Sequence, residues 1–545
     1  MKRTRIIGLF FLASSFLYVS CDSLLDVDSD RYVFENQYQL NATNDSLYSM
    51  FGIFSLMQEL ADSYVLLGEL RGDLMDVTDN STSYLKEINS FEISDENPYA
   101  NNKRLYYSII NNCNYIINTV DTSVVQNTNK VNIRLMAAAK AIRAWTYMQL
   151  ALNFKTAVYY EKPLLTLDEA EASYPEYTLE QMAPYLIADL EPYTDVDELE
   201  FGEIYSYSGS SSFFPVNFVL GDLYLWTGDY ERAAEAYHDL IYKEMYLISS
   251  DFVSSFEVLN NAFTGDMETD WNDIFVSGSS EIITAIAASN ENGPKFSLDS
   301  FCIDYKIKAS SQAYKNWTNQ RYYYSSTLDT LSDLRIFGST LSNVEVSSSG
   351  YTYSSPTATS DNYVLKYILY NLSDGEDYKI IVPYRVTLLY LRYAEAVNRL
   401  GKPNLAMAVL KYGLNSTTIA NRSYIPSNEV PDELPDYMNF PSTYFSKNIG
   451  VRVRGCGNVN YDNTYFIIPQ SATLPDSIQD MEDILLQELA LETAFEGNRF
   501  QDLMRIAIRR DDNHVLADKV AAKHGADSAT ISQKLLIRDN WYLNQ

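Results

Sequence analysis

Histidine, cysteine and basic side chains are all in short supply in this chain of 545 residues. The 3 histidines, His238, His514 and His524, leave little material for a His-based metal centre or for a nucleophile paired with a His base. The 4 cysteines, Cys21, Cys113, Cys302 and Cys456, form no CxxC pair, so neither a zinc knuckle nor a dithiol redox site is indicated. HExxH, a phosphate-binding loop and a nucleophile elbow are absent too. Lys+Arg number 41 against 72 Asp+Glu, a net charge of -31, and such a surface repels nucleic-acid phosphates. Carboxylates are plentiful enough for a glycosidase pair, but nothing in the sequence sets two of them at catalytic separation, and the chain reads as a non-enzyme. No cofactor is expected, although Asp-rich loops leave room for structural calcium without an EF-hand pattern.

Long apolar runs are scarce as well. The one present, Ile6 to Val19, follows Lys2, Arg3 and Arg5 and reaches Ser20 just before Cys21. It is shorter than the ~20 residues a membrane-spanning helix needs, so a cleaved export signal over residues 1–20 fits better. The setting of Cys21 resembles a lipobox, with Tyr18 where a leucine is usual. That resemblance implies acylation of Cys21 and attachment to the outer membrane through buried acyl chains, each CH₂ contributing about 0.8 kcal/mol. The acids Asp22, Asp26, Asp28 and Asp30 resemble the sorting stretch of surface lipoproteins of the Bacteroides group.

Tyrosine is abundant instead, with 45 residues. Each offers a flat apolar face and an edge hydroxyl, suited to packing between helices and to stacking on sugar rings. Helical periodicity dominates the chain. In "FFPVNFVLGDLYLWTGDYERAAEAYHDLIY" the apolar positions Val219, Leu220, Leu223 and Tyr224 recur at three and four residues, Gly228-Asp229 breaks the pattern, and Ala233, Ala234, Tyr237 and Leu240 resume it. The spacing predicts a tetratricopeptide-type helix hairpin. A second copy runs from Leu388 to Asn415, turning at Gly401-Lys402-Pro403, and Trp145 and Trp226 fall on apolar helix faces. The fold class expected is mainly α: a tetratricopeptide-like helical superhelix with irregular, loop-rich insertions and a small β-hairpin about Ser373-Asp374-Gly375. Residues 21–545 are read as one domain, with the scaffold at about 40–160, 213–245, 383–415 and 480–510 and insertions at about 251–382 and 416–479.

In their order along the chain, several stretches resemble the SusD/RagB family. These are "CDSLLDVDSD", "GELRGDLMDVT", "RLYYSIINNCNYIIN", "AKAIRAWTYMQLALNF" with Arg143, Ala144 and Tyr147, "LRYAEAVNRLGK" and "ELALETAFEGNRFQDLMR". The resemblance implies an outer-membrane, cell-surface lipoprotein that captures an oligosaccharide for a partner TonB-dependent transporter of SusC type. An oligopeptide-binding member, or a surface scaffold with no small ligand, are the alternatives. Where the family often carries a Trp, this chain has Asn101, Asn102 and Lys103.

A sugar site needs aromatic planes for C–H faces and amide, carboxylate or guanidinium groups for hydroxyls. The densest such stretch is "YKNWTNQRYYYSS", with Trp317, Asn319, Arg321, Tyr322 and Tyr324 as candidates; strand alternation would place Tyr322 and Tyr324 on one face. Tyr99, Asn101 and Asn102 are the second group, where the family's first binding loop falls. Trp271 reads as a loop anchor.

Overall fold

The computed structural model describes residues 43–543 apart from short interior stretches, chiefly 290–295, 324–331, 357–360, 369–377 and 462–465. The export signal and Cys21 lie outside the described residues. Helix α1 (Thr43–Glu69) packs on α2 (Lys103–Thr119) and α3 (Val131–Phe154), which also pack on each other. On α2, Tyr106, Ile109, Ile110, Cys113 and Ile116 recur at helical spacing and are buried, the apolar stripe an amphipathic helix turns to a core. Arg143 of α3 donates to Asn114 Oδ1 of α2 at 2.6 Å, and Tyr147 donates to the Tyr160 carbonyl at 2.9 Å.

The first expected hairpin is α4 (Val216–Thr227) with α5 (Tyr230–Lys243). Gly228 takes φ +85° at the turn, a conformation that favours glycine, and the Asp229 side chain caps α5. Gly221 lies under the Tyr237 ring, where an added Cβ would collide, so this glycine sets how closely the two helices approach. The second hairpin, α6 (Val386–Arg399) with α7 (Pro403–Lys411), has Pro403 in the first turn of α7, and α6 packs against α5. Helices α8 (Leu474–Glu492) and α9 (Arg499–Arg510) close the scaffold against α6 and α1. At the end of α1, Glu69 accepts the N–H groups of Phe495 and Gly497 at 3.1 and 2.8 Å, which joins distant parts of the chain.

Helices also form outside the anticipated scaffold segments, among them Leu179–Leu190, Ser311–Thr318, His514–Ala521 and Ser528–Leu535. The remaining strands are short, small hairpins are present (Ser254–Leu259 with Ala262–Thr269), and no closed barrel forms among the described residues. The anticipated turn at Ser373-Asp374-Gly375 lies outside the described residues. Strand Asn362–Val364 pairs with Thr340–Ser347, and Tyr378–Arg385 pairs with Ile282–Ser289, so the two flanks of Ser373 take different partners. Alternation identified extended segments without naming their neighbours.

A buried ionic cluster ties the insertions to α8. Arg385 donates to Glu496 at 2.8 Å and to Glu281 and Glu492 at 3.0 and 2.9 Å; Arg454 reaches Glu281 at 2.8 Å, and Arg335 reaches Glu492 at 2.7 Å. Burial alone would raise the Glu492 carboxyl, but Arg385, Arg454 and Arg335 hold it down to about 2. Cys113, Cys302 and Cys456 are free and buried.

Candidate functional site

The segment after α1 folds onto the first insertion. Strand Met75–Val77 pairs antiparallel with Ile307–Ala309. Beyond it, the Thr78 hydroxyl donates to the Tyr305 carbonyl, the Ser81 hydroxyl to the Lys306 carbonyl, and Asn80 Nδ2 to the Asp304 carbonyl at 3.3 Å. This lattice fixes Tyr305, whose backbone sits in the left-handed region at φ +52°, uncommon for a bulky residue and a mark of functional positions. The Tyr305 ring lies 4.5 Å from that of Tyr363, tilted by 39°, and its hydroxyl donates to Asp361 Oδ1 at 2.9 Å. Burial, and then the bond to Asp361, push the Tyr305 hydroxyl up, so it stays a neutral donor.

An open pocket of about 530 Å³ lies against Tyr305, and Asp79, Asn80, Lys86, Lys308 and Asp361 contribute to its walls. A ring face, an amide, two carboxylates and two ammonium groups converge there. That is the equipment for stacking on a sugar ring and pairing its hydroxyls.

Tyr99, the first of the second predicted group, lies against buried Phe301. It is half-buried, meets Phe301 edge-on with centroids 6.2 Å apart, and Lys306 Nζ stands 5.7 Å from the Phe301 ring. Asn101 Nδ2 donates to the Ser94 carbonyl at 2.7 Å and Asn102 Nδ2 to Ser63 Oγ at 2.8 Å, so these amides hold the loop in shape. Behind them Asp62 accepts the Ser297 N–H at 2.8 Å. Burial outweighs that bond and pushes the Asp62 carboxyl up to about 6.

The other predicted group is divided. Trp317 has 0% of its surface exposed; it lies on helix Ser311–Thr318, capped by Ser310, donates Nε1–H to the Leu491 carbonyl at 3.1 Å and packs on Phe495. It offers no face to a ligand, which corrects the expectation for Trp317. Tyr322 is likewise corrected: it is buried and donates to Asp333 Oδ2 at 2.6 Å. Asn319 and Arg321 are exposed, and Tyr324 lies outside the described residues. Trp145, Trp226 and Trp271 are buried, in keeping with packing roles. Sequence reasoning missed Tyr305 and Tyr363; the signal available was a tyrosine set among charges in "FCIDYKIK" and "SDNYV".

Among the described residues no group of three His, Cys, Asp or Glu is placed to hold a metal, and no helix is long and apolar enough to cross a membrane.

Residues 284–536 match the model of the SusD family. Over 469 residues the chain is 26% identical to SusD-like protein P2 of Formosa agariphila, covering 81% of this chain and 78% of that protein. The fold is similar to a SusD homolog of Bacteroides thetaiotaomicron, with TM-score 0.58 and 16% identity over 91% of this chain and 90% of that one. It is also similar to a SusD-like carbohydrate binding protein of Bacteroides vulgatus, with TM-score 0.55 and 16% identity over 86% of this chain and 84% of that one. At these identities the structural likeness concerns the fold. The resemblance read from the motifs is thus matched by a family model over residues 284–536 and by a relative 26% identical to this chain.

Proposed function

We propose that this SusD-like chain is a cell-surface binding protein, anchored in the outer membrane through acylated Cys21, that captures an oligosaccharide and delivers it to a SusC-like TonB-dependent transporter. The observation that carries the reading is the Tyr305–Tyr363 pair beside a pocket walled by Asp79, Asn80, Lys86, Lys308 and Asp361. One similar structure carries the description carbohydrate binding, which supports the ligand class. The role is capture without catalysis, and nucleic acid is no partner for a chain of net charge -31.

A second reading, capture of a cationic oligopeptide, is favoured by the acids Asp79 and Asp361 on the pocket wall together with the overall charge. Calorimetric titration of the purified protein with a panel of neutral oligosaccharides and of basic oligopeptides separates the two. Saturable heat from sugars alone is the expected outcome; heat from peptides alone selects the second reading, and silence from both panels contradicts capture of either class.

A further inference from the structure

Arg71, two residues past the end of α1, is 1% exposed and pairs with no carboxylate among the described residues. Its bonded N–H groups go to neutral acceptors: the Leu67 carbonyl at 2.8 Å, the Trp541 carbonyl at 3.0 Å and Asn153 Oδ1. A guanidinium carries five N–H donors, so two remain beyond these bonds. The ring of Phe500 lies 4.4 Å from its centre. Other buried arginines differ. Arg335, Arg385, Arg454 and Arg505 each face carboxylates. Burial pushes the Arg71 guanidinium down to about 9, and it remains cationic at neutral pH.

A pocket of about 200 Å³ opens against Arg71, between the loop holding Phe91, Ile93 and Asp95 and the segment from Lys534 to Leu543. Lys534, half-exposed on its wall, donates to the Phe91 carbonyl at 2.6 Å and stands 4.0 Å from Glu92. Asn540 donates one N–H to the Lys534 carbonyl at 2.7 Å. In a strongly acidic chain this is a hollow with a buried cation at its base and a second cation on its side.

We infer that this pocket binds the carboxylate group of a small monoanionic ligand, held by the Arg71 guanidinium and the Lys534 ammonium. A buried charge without a partner is costly, and a carboxylate would supply charge-assisted bonds to the donors Arg71 has left. Asp95 on the same wall opposes a second negative charge, which disfavours a phosphate dianion. The volume equals on the order of six waters, room for a carboxylate and a short side chain or part of a ring. The inference is independent of the sugar-capture reading, because none of these residues lines the pocket at Tyr305.

The test titrates acetate, glucuronate, N-acetylalanine and inorganic phosphate into the purified protein at ionic strength matched with chloride, read by thermal denaturation and calorimetry. The expected result is a saturable rise in Tm with carboxylates, with affinity reduced at least five-fold in Lys534→Ala and largely kept in Lys534→Arg. Tighter glucuronate names an acidic sugar as the source of the carboxylate, tighter N-acetylalanine a peptide terminus, and both uphold the site. A rise no larger than that with chloride, equal affinity in Lys534→Ala, or phosphate binding tighter than every carboxylate would overturn it.

Discussion

Tyr305 and Tyr363 meet with ring centroids 4.5 Å apart, and the hydroxyl of Tyr305 is committed to Asp361, two residues before its ring partner. The two rings come from separate stretches of the first insertion, and each stretch is held by its own strand pairing: Ile307–Ala309 on Met75–Val77, and Asn362–Val364 on Thr340–Ser347. A platform fixed from both sides loses little conformational freedom when a ligand arrives, so more of the contact energy appears as affinity.

Trp317 is a structural residue in this account. Trp317→Ala should lower stability by about 3–5 kcal/mol through cavity formation and loss of the bond to Leu491, read as a shift in the urea midpoint. A variant as stable as the parent that loses ligand binding would return Trp317 to the binding surface.

The ionic cluster predicts a large cost for removing one of its acids. Glu492→Gln leaves Arg385, Arg454 and Arg335 short of a buried counter-charge, and a loss of roughly 3–5 kcal/mol is expected in equilibrium unfolding at neutral pH. A loss below about 1 kcal/mol would mean that the remaining acids suffice.

Asp62 gives a prediction in pH. Its folded pKa of about 6 lies above its ordinary 3.8, so the unfolded chain releases the proton first, and the residue costs stability progressively as pH rises through that window. Asp62→Asn keeps an acceptor for the Ser297 N–H without the charge. Relative to the parent it should gain on the order of 2 kcal/mol between pH 4 and pH 7. An unchanged gap at the two pH values contradicts burial of the charge.

Local features were legible in the sequence and distant pairings were not. Gly228-Asp229 and Gly401-Lys402-Pro403 marked both hairpin turns because a helix break and helical spacing are written within a few residues. Ser310, Ala313 and Trp317 stand at cap, i and i+4 spacing, a readable helix signal that the run of aromatics obscured. Helix Leu179–Leu190 begins with a Thr178–Gln181 capping box, but Pro184 interrupts its pattern. The neighbours of Tyr305 and Tyr363 depend on strand pairings between separate stretches, which periodicity does not encode.

The most direct measurement is the affinity of Tyr305→Asn for whichever oligosaccharide the parent binds best, by calorimetry, with unfolding followed in parallel. Asparagine tolerates the left-handed backbone of Tyr305 while removing the ring, so the fold is expected to survive. A loss of affinity of about ten-fold or more with unchanged stability is the result predicted, equivalent to about 1.4 kcal/mol. Unchanged affinity in a folded variant would place the ligand elsewhere and contradict the account.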